Sequence, residues 1–170
     1  MDTPALVCLA IALVACVVDL RTRRIPNALT LGAAAGALVF HAASGGWAGL
    51  GRAAAGGAVG GALFLPFFLL RGLGGGDVKL LAALGAWFGP AGAVTLALWS
   101  MIAGGPMALV VAAWRGYAKQ AIANVRSLVL FWRVMGFAPH PAISLDQPGS
   151  PRLPYSLPIA VGVMVTLWRS

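Results

Sequence analysis

The chain has 170 residues, of which 60% are hydrophobic and only 9% charged, with a formal net charge of +8. Soluble domains carry roughly a quarter of their residues as charged groups, so this composition excludes an ordinary soluble protein and indicates a single-domain, all-α polytopic membrane protein over residues 1–170. The twelve Lys and Arg residues fall between apolar runs and form no basic face, which argues against a nucleic-acid partner and for a lipid bilayer.

In chain order, the first apolar run covers 4–18. It lacks a positive leading region and its basic residues follow it, so it does not read as a cleavable signal. Cys8 and Cys16 lie within it with no His or further Cys at metal spacing, so they read as buried thiols and no metal is expected. Further runs cover 28–43 and 53–70. The run from 78 to 114 would measure roughly 55 Å as one helix, against a hydrocarbon core about 30 Å thick. It must cross twice, and Gly89-Pro90 supplies the turn, giving spans at 78–89 and 91–114. A last run covers 154–168. The expectation is therefore six transmembrane helices, the first and fourth being short. Glycine and alanine saturate these spans, as close helix packing in membranes requires. His41 falls in an expected outer loop and His140 in a proline-rich loop over 139–154, both away from the site proposed below.

Between the fifth and sixth runs, residues 117–137 place Ala118, Ala121, Ile122, Val125, Leu128, Val129 and Trp132 at helical spacing. Lys119, Arg126 and Arg133 recur opposite them. This reads as an amphipathic interfacial helix, either an anchor on anionic lipid or a substrate-docking surface. Six alternating spans put ten of the twelve basic residues on one side, leaving Arg52 and Arg169 on the other. The basic side is cytoplasmic by the positive-inside rule, with both termini outside.

The chain has four carboxylates, Asp2, Asp19, Asp77 and Asp146, and no Glu. Asp146 lies in the proline-rich loop and Asp2 at the tip. Asp19 and Asp77 border apolar runs at the cytoplasmic edge, at matching depth, and ionisable groups near lipid are expensive enough to be functional candidates. Asp77 follows Gly74, Gly75 and Gly76, a stretch without side chains that another chain can approach closely. Capping of a helix N-terminus is the plain alternative for this Asp, and charge neutralisation by Arg21, Arg23 and Arg24 is the plain alternative for Asp19. The glycine stretch lacks the Gly-Lys-Ser/Thr ending of a phosphate loop. Two close carboxylates share a proton. One acts as base on a water while the other polarises a peptide carbonyl, with no cofactor.

Asp19 with its basic stretch and Ile25-Pro26-Asn27, then Gly74-Gly75-Gly76-Asp77-Val78-Lys79-Leu80, and finally Pro154-Tyr155-Ser156-Leu157-Pro158-Ile159-Ala160-Val161-Gly162, resemble in order and spacing the motifs of type IV prepilin peptidases. These are membrane aspartic proteases of the GxGD class. The resemblance implies catalytic roles for Asp19 and Asp77 and cleavage of a prepilin leader at the cytoplasmic membrane face, typically after a glycine. The bacterial inner membrane is the implied location. Gly74, Gly75, Gly76 and Lys79 are expected to meet substrate, with Lys79 pointing away from Asp77 toward substrate or lipid headgroups. No paired CxxC motifs occur, so the chain looks like the short, peptidase-only branch serving tight-adherence (Flp-type) pili, with N-methylation in doubt. The rival reading is a small ion- or proton-coupled transporter using the same two acids, against which stand the lack of an internal repeat and the placement of both acids at one edge. A structural subunit leaves the glycine-aspartate stretch unexplained.

Overall fold

A computed structural model describes residues 3–138 and 154–169. Asp2, His140, Asp146 and Arg152, with the proline-rich loop expected around the last three, lie outside the described residues. Five helices follow one another: α1 (Thr3–Thr22), α2 (Asn27–Leu69), α3 (Gly75–Trp114), α4 (Ala118–Met135) and α5 (Ser156–Arg169). There is no strand among the described residues. Helices α1, α2 and α3 are long and apolar enough to cross a membrane, and α5 is a shorter apolar helix.

Two of the helices are bent double at a glycine. α2 leaves helical geometry at Gly46 (φ 57°, ψ −144°) and α3 at Gly89 (φ 76°, ψ 179°). Both φ values lie where a side chain is disfavoured and glycine is not. Pro90 then starts the second half of α3, where its missing N–H costs nothing. Around Gly46, between the runs expected over 28–43 and 53–70, helical geometry persists on both sides of the one glycine. Glycines are common in membrane helices, and a backbone that stays hydrogen-bonded to itself is favoured wherever lipid replaces water. His41 is accordingly not in a loop. It sits on α2 with a ring nitrogen 3.1 Å from the Trp87 carbonyl, and its ring lies edge-on to Phe40.

Helix α3 forms the centre. Leu80, Leu81, Leu84 and Leu96 are fully buried, and their neighbours approach through residues with little or no side chain. A Cβ added to Gly60 would lie 2.6 Å from the Leu81 carbonyl oxygen, and one added to Gly85 would lie 2.5 Å from the Gly56 carbonyl oxygen. Gly162 of α5 likewise packs directly on Leu96 and Ser100 of α3. The indole N–H of Trp87 donates to the Ala33 carbonyl at 2.9 Å, tying the other half of α2 to α3.

Helix α1 shows how this interior relates to lipid. Cys8, Ile11, Ala12, Ala15, Cys16 and Asp19 are buried, at helical spacing along one face. Leu6, Leu13, Val14, Val17 and Leu20 are about half exposed on the others. A helix that is apolar on its exposed side as well as its packed side suits a hydrocarbon solvent. α1 also runs past the expected end of the first span, so Asp19 lies in its last turn rather than beyond it.

Candidate active site

Asp19 is the last member of the buried face of α1. Its carboxylate is 7% exposed, and it accepts a 2.7 Å hydrogen bond from the Ser156 hydroxyl. Ser156 is the first residue of α5 and is fully buried. Its carbonyl accepts a hydrogen bond from the Cys16 thiol at 3.2 Å, one turn before Asp19. Two links therefore fasten the end of α1 to the start of α5, and one of them grips the carboxylate itself. Cys8 and Cys16 are both buried and unoxidised.

Asp77 is the third residue of α3, after Gly75 and Gly76. Its own N–H donates to the Gly74 carbonyl at 3.1 Å, and the Gly74 N–H hydrogen-bonds back to its carboxylate. This is the reciprocal arrangement of a helix-capping box, with an acid at the third position reaching back to the cap. Capping and site formation are therefore one contact: the hydrogen bond that starts α3 also holds Asp77 in place. The helix dipole adds to the stabilisation of negative charge there.

The structure brings the two acids together. Asp19 and Asp77, 58 positions apart in the numbering, lie closely enough for the Asp19 charge to act on Asp77. Tyr155 joins them from the turn just before α5 and feels the Asp77 charge. Its hydroxyl donates to the Ser100 carbonyl at 3.3 Å, and its ring meets Phe64 edge-on with centroids 5.7 Å apart. The site thus draws on α1, α3 and α5. Among the described residues no group of three or more His, Cys, Asp or Glu side chains could hold a metal ion.

The glycines behave differently from a free loop. Only Gly74 precedes α3; Gly75 and Gly76 are its first two residues. Each is needed for close approach, since an added Cβ would meet the Phe68 ring at 3.3 Å from Gly75 and Ile25 at 3.2 Å from Gly76. Lys79 is exposed and turned away from Asp77, as residues two apart on a helix do not share a face. Its ammonium donates to the Asn27 side-chain oxygen at 2.9 Å, bridging α3 to the start of α2.

Ser156 and Tyr155 carry no role in the sequence reading, although they lie in the stretch that resembles the family's last-span motif. A hydroxyl at the start of an apolar run is too common to signal a site. Only the fold reveals that Ser156 touches Asp19.

The described residues form an all-α protein with apolar helices long enough to cross a membrane, carrying Asp19 and Asp77 near the ends of two of them. Residues 6–109 match the type IV leader peptidase family, and the chain belongs to that family. The chain is 43% identical over 107 residues to a prepilin leader peptidase/N-methyltransferase of Burkholderia pseudomallei strain 1026b, covering 58% of this chain and 34% of that protein. It is 36% identical over 130 residues to the protein of that name from Pectobacterium carotovorum subsp. carotovorum, covering 71% of this chain and 44% of the relative. A Dickeya chrysanthemi protein of that name is 43% identical over 93 residues, half of this chain and 32% of the relative. The chain thus spans less than half the length of these curated relatives. No solved structure matches. The transporter reading gains nothing from these relationships.

Proposed function

We propose that this protein is an aspartic endopeptidase of the inner membrane that removes the leader of a type IV, Flp-like prepilin. The observation that carries the reading is the meeting of Asp19 and Asp77 across α1 and α3, with Ser156 fixing the first and Gly74 the second. Like charges in such proximity favour one shared proton over two ionised acids. Ser156 donates to Asp19 and the Gly74 N–H to Asp77, so either carboxylate can hold the single charge, and the step is written with Asp19 as the ionised base and Asp77 as the acid. Asp19 takes a proton from a water, whose oxygen attacks the scissile carbonyl carbon. Asp77 gives its proton to the carbonyl oxygen as the tetrahedral intermediate forms. When the C–N bond breaks, the leaving nitrogen receives the proton held by Asp19, and Asp77 recovers its own as the carboxyl product forms. Atoms and charge balance without a metal or a covalent enzyme intermediate.

In this reading the bends at Gly46 and Gly89 make six spans, counting α1, both halves of α2 and α3, and α5. The side carrying Arg21 and Arg115 faces the cytoplasm. α4 lies along that surface: it buries no residue, while Ile122, Val125 and Val129 are exposed and Lys119, Arg126 and Arg133 flank them. A prepilin, with a basic leader and an apolar helix, presents the junction between them at this membrane face. The junction must be extended for attack, because helical carbonyls are already hydrogen-bonded, and a glycine before the cut loosens it. Gly74 is the exposed end of the glycine stretch, and its carbonyl, which has a second lone pair beside the one accepting from Asp77, is proposed to pair with that backbone, as in strand addition. Gly75 and Gly76 keep the wall beside it thin, and Lys79 meets substrate or headgroups at the rim.

The test is co-expression with a prepilin carrying a basic leader, followed by N-terminal sequencing of the product. Cleavage at the leader–helix junction supports the proposal. Moving that junction several residues into the apolar helix should block processing, and efficient cleavage of the displaced site would overturn cutting at the membrane face.

A further inference from the structure

Next to the acids lies a cavity of about 200 Å³ that the mechanism does not use. It is lined by Phe64, Phe67, Gly72, Leu73, Met101 and Tyr155. Three features connect it to the site. Tyr155 is one of its walls and is also the aromatic residue that feels the Asp77 charge. Gly72 and Leu73 lead directly into Gly74, the cap that holds Asp77. Phe64 is fully buried and braces Tyr155 from behind, with a second edge-on contact to Phe67 at 6.1 Å.

The chemistry of the lining selects the ligand. Aromatic rings, a leucine and a thioether line this half-open space, with Phe67 and Gly72 at its exposed side and no charged group among them. A polar or ionised side chain placed there would lose its hydration without a partner. A dry cavity of roughly 150 Å³ takes a benzene ring, so this one has room for the side chain of Leu, Met or Phe. Met101 adapts its shape to irregular apolar contents.

We infer that this cavity is a specificity pocket for one apolar side chain beside the scissile bond of the substrate. The inference rests on the endopeptidase reading and deepens it: Asp19 and Asp77 define where the bond breaks, and the pocket selects which residue stands next to it. Gly72 sets the pocket's depth. An added Cβ there would meet only the Phe67 carbonyl oxygen, at the ordinary distance of 3.5 Å. The backbone therefore tolerates a side chain at this position, and that side chain would occupy the cavity.

The experiment uses full-length protein in membranes and a co-expressed prepilin in which each of the two residues flanking the cut is varied in turn among Ala, Leu, Phe and Asp. The wild type should prefer Leu or Phe to Ala by about tenfold or more at one of the two positions, as contacts of a few methylenes allow, and should reject Asp there. Gly72→Leu should lower that preference at least tenfold at the same position. Phe67→Ala should instead relax it toward a larger residue such as Trp. An unchanged preference in both variants, with substrate still cleaved, would overturn the pocket while leaving the peptidase intact. Should Gly72→Leu fail to insert, Phe67→Ala and Met101→Ala decide alone. A wild type that cleaves no member of the series removes the peptidase reading and this inference with it.

Discussion

Ser156 holds Asp19 by one hydrogen bond, and the consequences of losing it can be separated from a loss of fold. Ser156→Ala removes the donor and leaves the buried carboxylate short of a partner, so kcat should fall on the order of 10- to 100-fold, in line with the cost of misplacing a reacting group. KM should change little, because the serine touches no substrate in this account. Ser156→Thr, which keeps the hydroxyl, should recover most of the rate. Equal damage from both substitutions would reduce Ser156 to a packing residue. Lys79 gives the opposite expectation. Its ammonium bonds to Asn27 rather than to either acid, so Lys79→Arg should retain most activity at normal expression, and a severe loss would place its charge closer to the chemistry. The two acids stand out in the sequence because carboxylates are rare in this chain and costly beside lipid. Their serine does not, since nothing in a lone hydroxyl distinguishes a site contact from an ordinary helix start.

At the scale of the elements, contact between α2 and α3 depends on missing side chains. Gly60→Ala would press a methyl against the Leu81 backbone, which cannot move aside as a flexible side chain could. Overpacking of this kind costs about 1–3 kcal/mol, so the variant should melt at a lower temperature in detergent. Gly32→Ala is the control: nothing lies within 4 Å of the added Cβ, and an alanine there should leave the melting temperature unchanged or raise it. Equal melting of both variants would remove the glycine contact from the account. The turn at Gly89 was readable because Pro90 follows it. The bend at Gly46 falls between the apolar runs expected over 28–43 and 53–70, where Gly45, Gly46, Gly49 and Gly51 interrupt the hydrophobic pattern. That pattern has a soluble meaning, but in a membrane helix the same glycines continue the helix and only one of them turns the chain. The start of α3 teaches the same lesson, because Gly75 and Gly76 are glycines for packing against Phe68 and Ile25.

For the whole molecule, the helices bring the two acids together at the end of α1 and the start of α3. Asp77 lies about 18 Å from Gly89 along its helix, while the second half of α3 runs on to Trp114, about 37 Å from that glycine at 1.5 Å per residue. The second half of α3 is therefore about twice as long as the part between Asp77 and the bend, and it ends in a Trp114 that is 90% exposed. The proposed sidedness is open to cysteine labelling, helped by Cys8 and Cys16 being buried. Trp47→Cys should react with an impermeant thiol reagent from outside the cell, and Lys119→Cys only after the inner face is opened. Labelling of both from one side would break the six-span arrangement. The central claim, that Asp19 and Asp77 act as a catalytic pair, is tested most directly by processing of a co-expressed prepilin. Asp19→Asn and Asp77→Asn should each abolish the size shift of the prepilin while the protein accumulates normally in the membrane. Substantial cleavage by either variant would contradict the account.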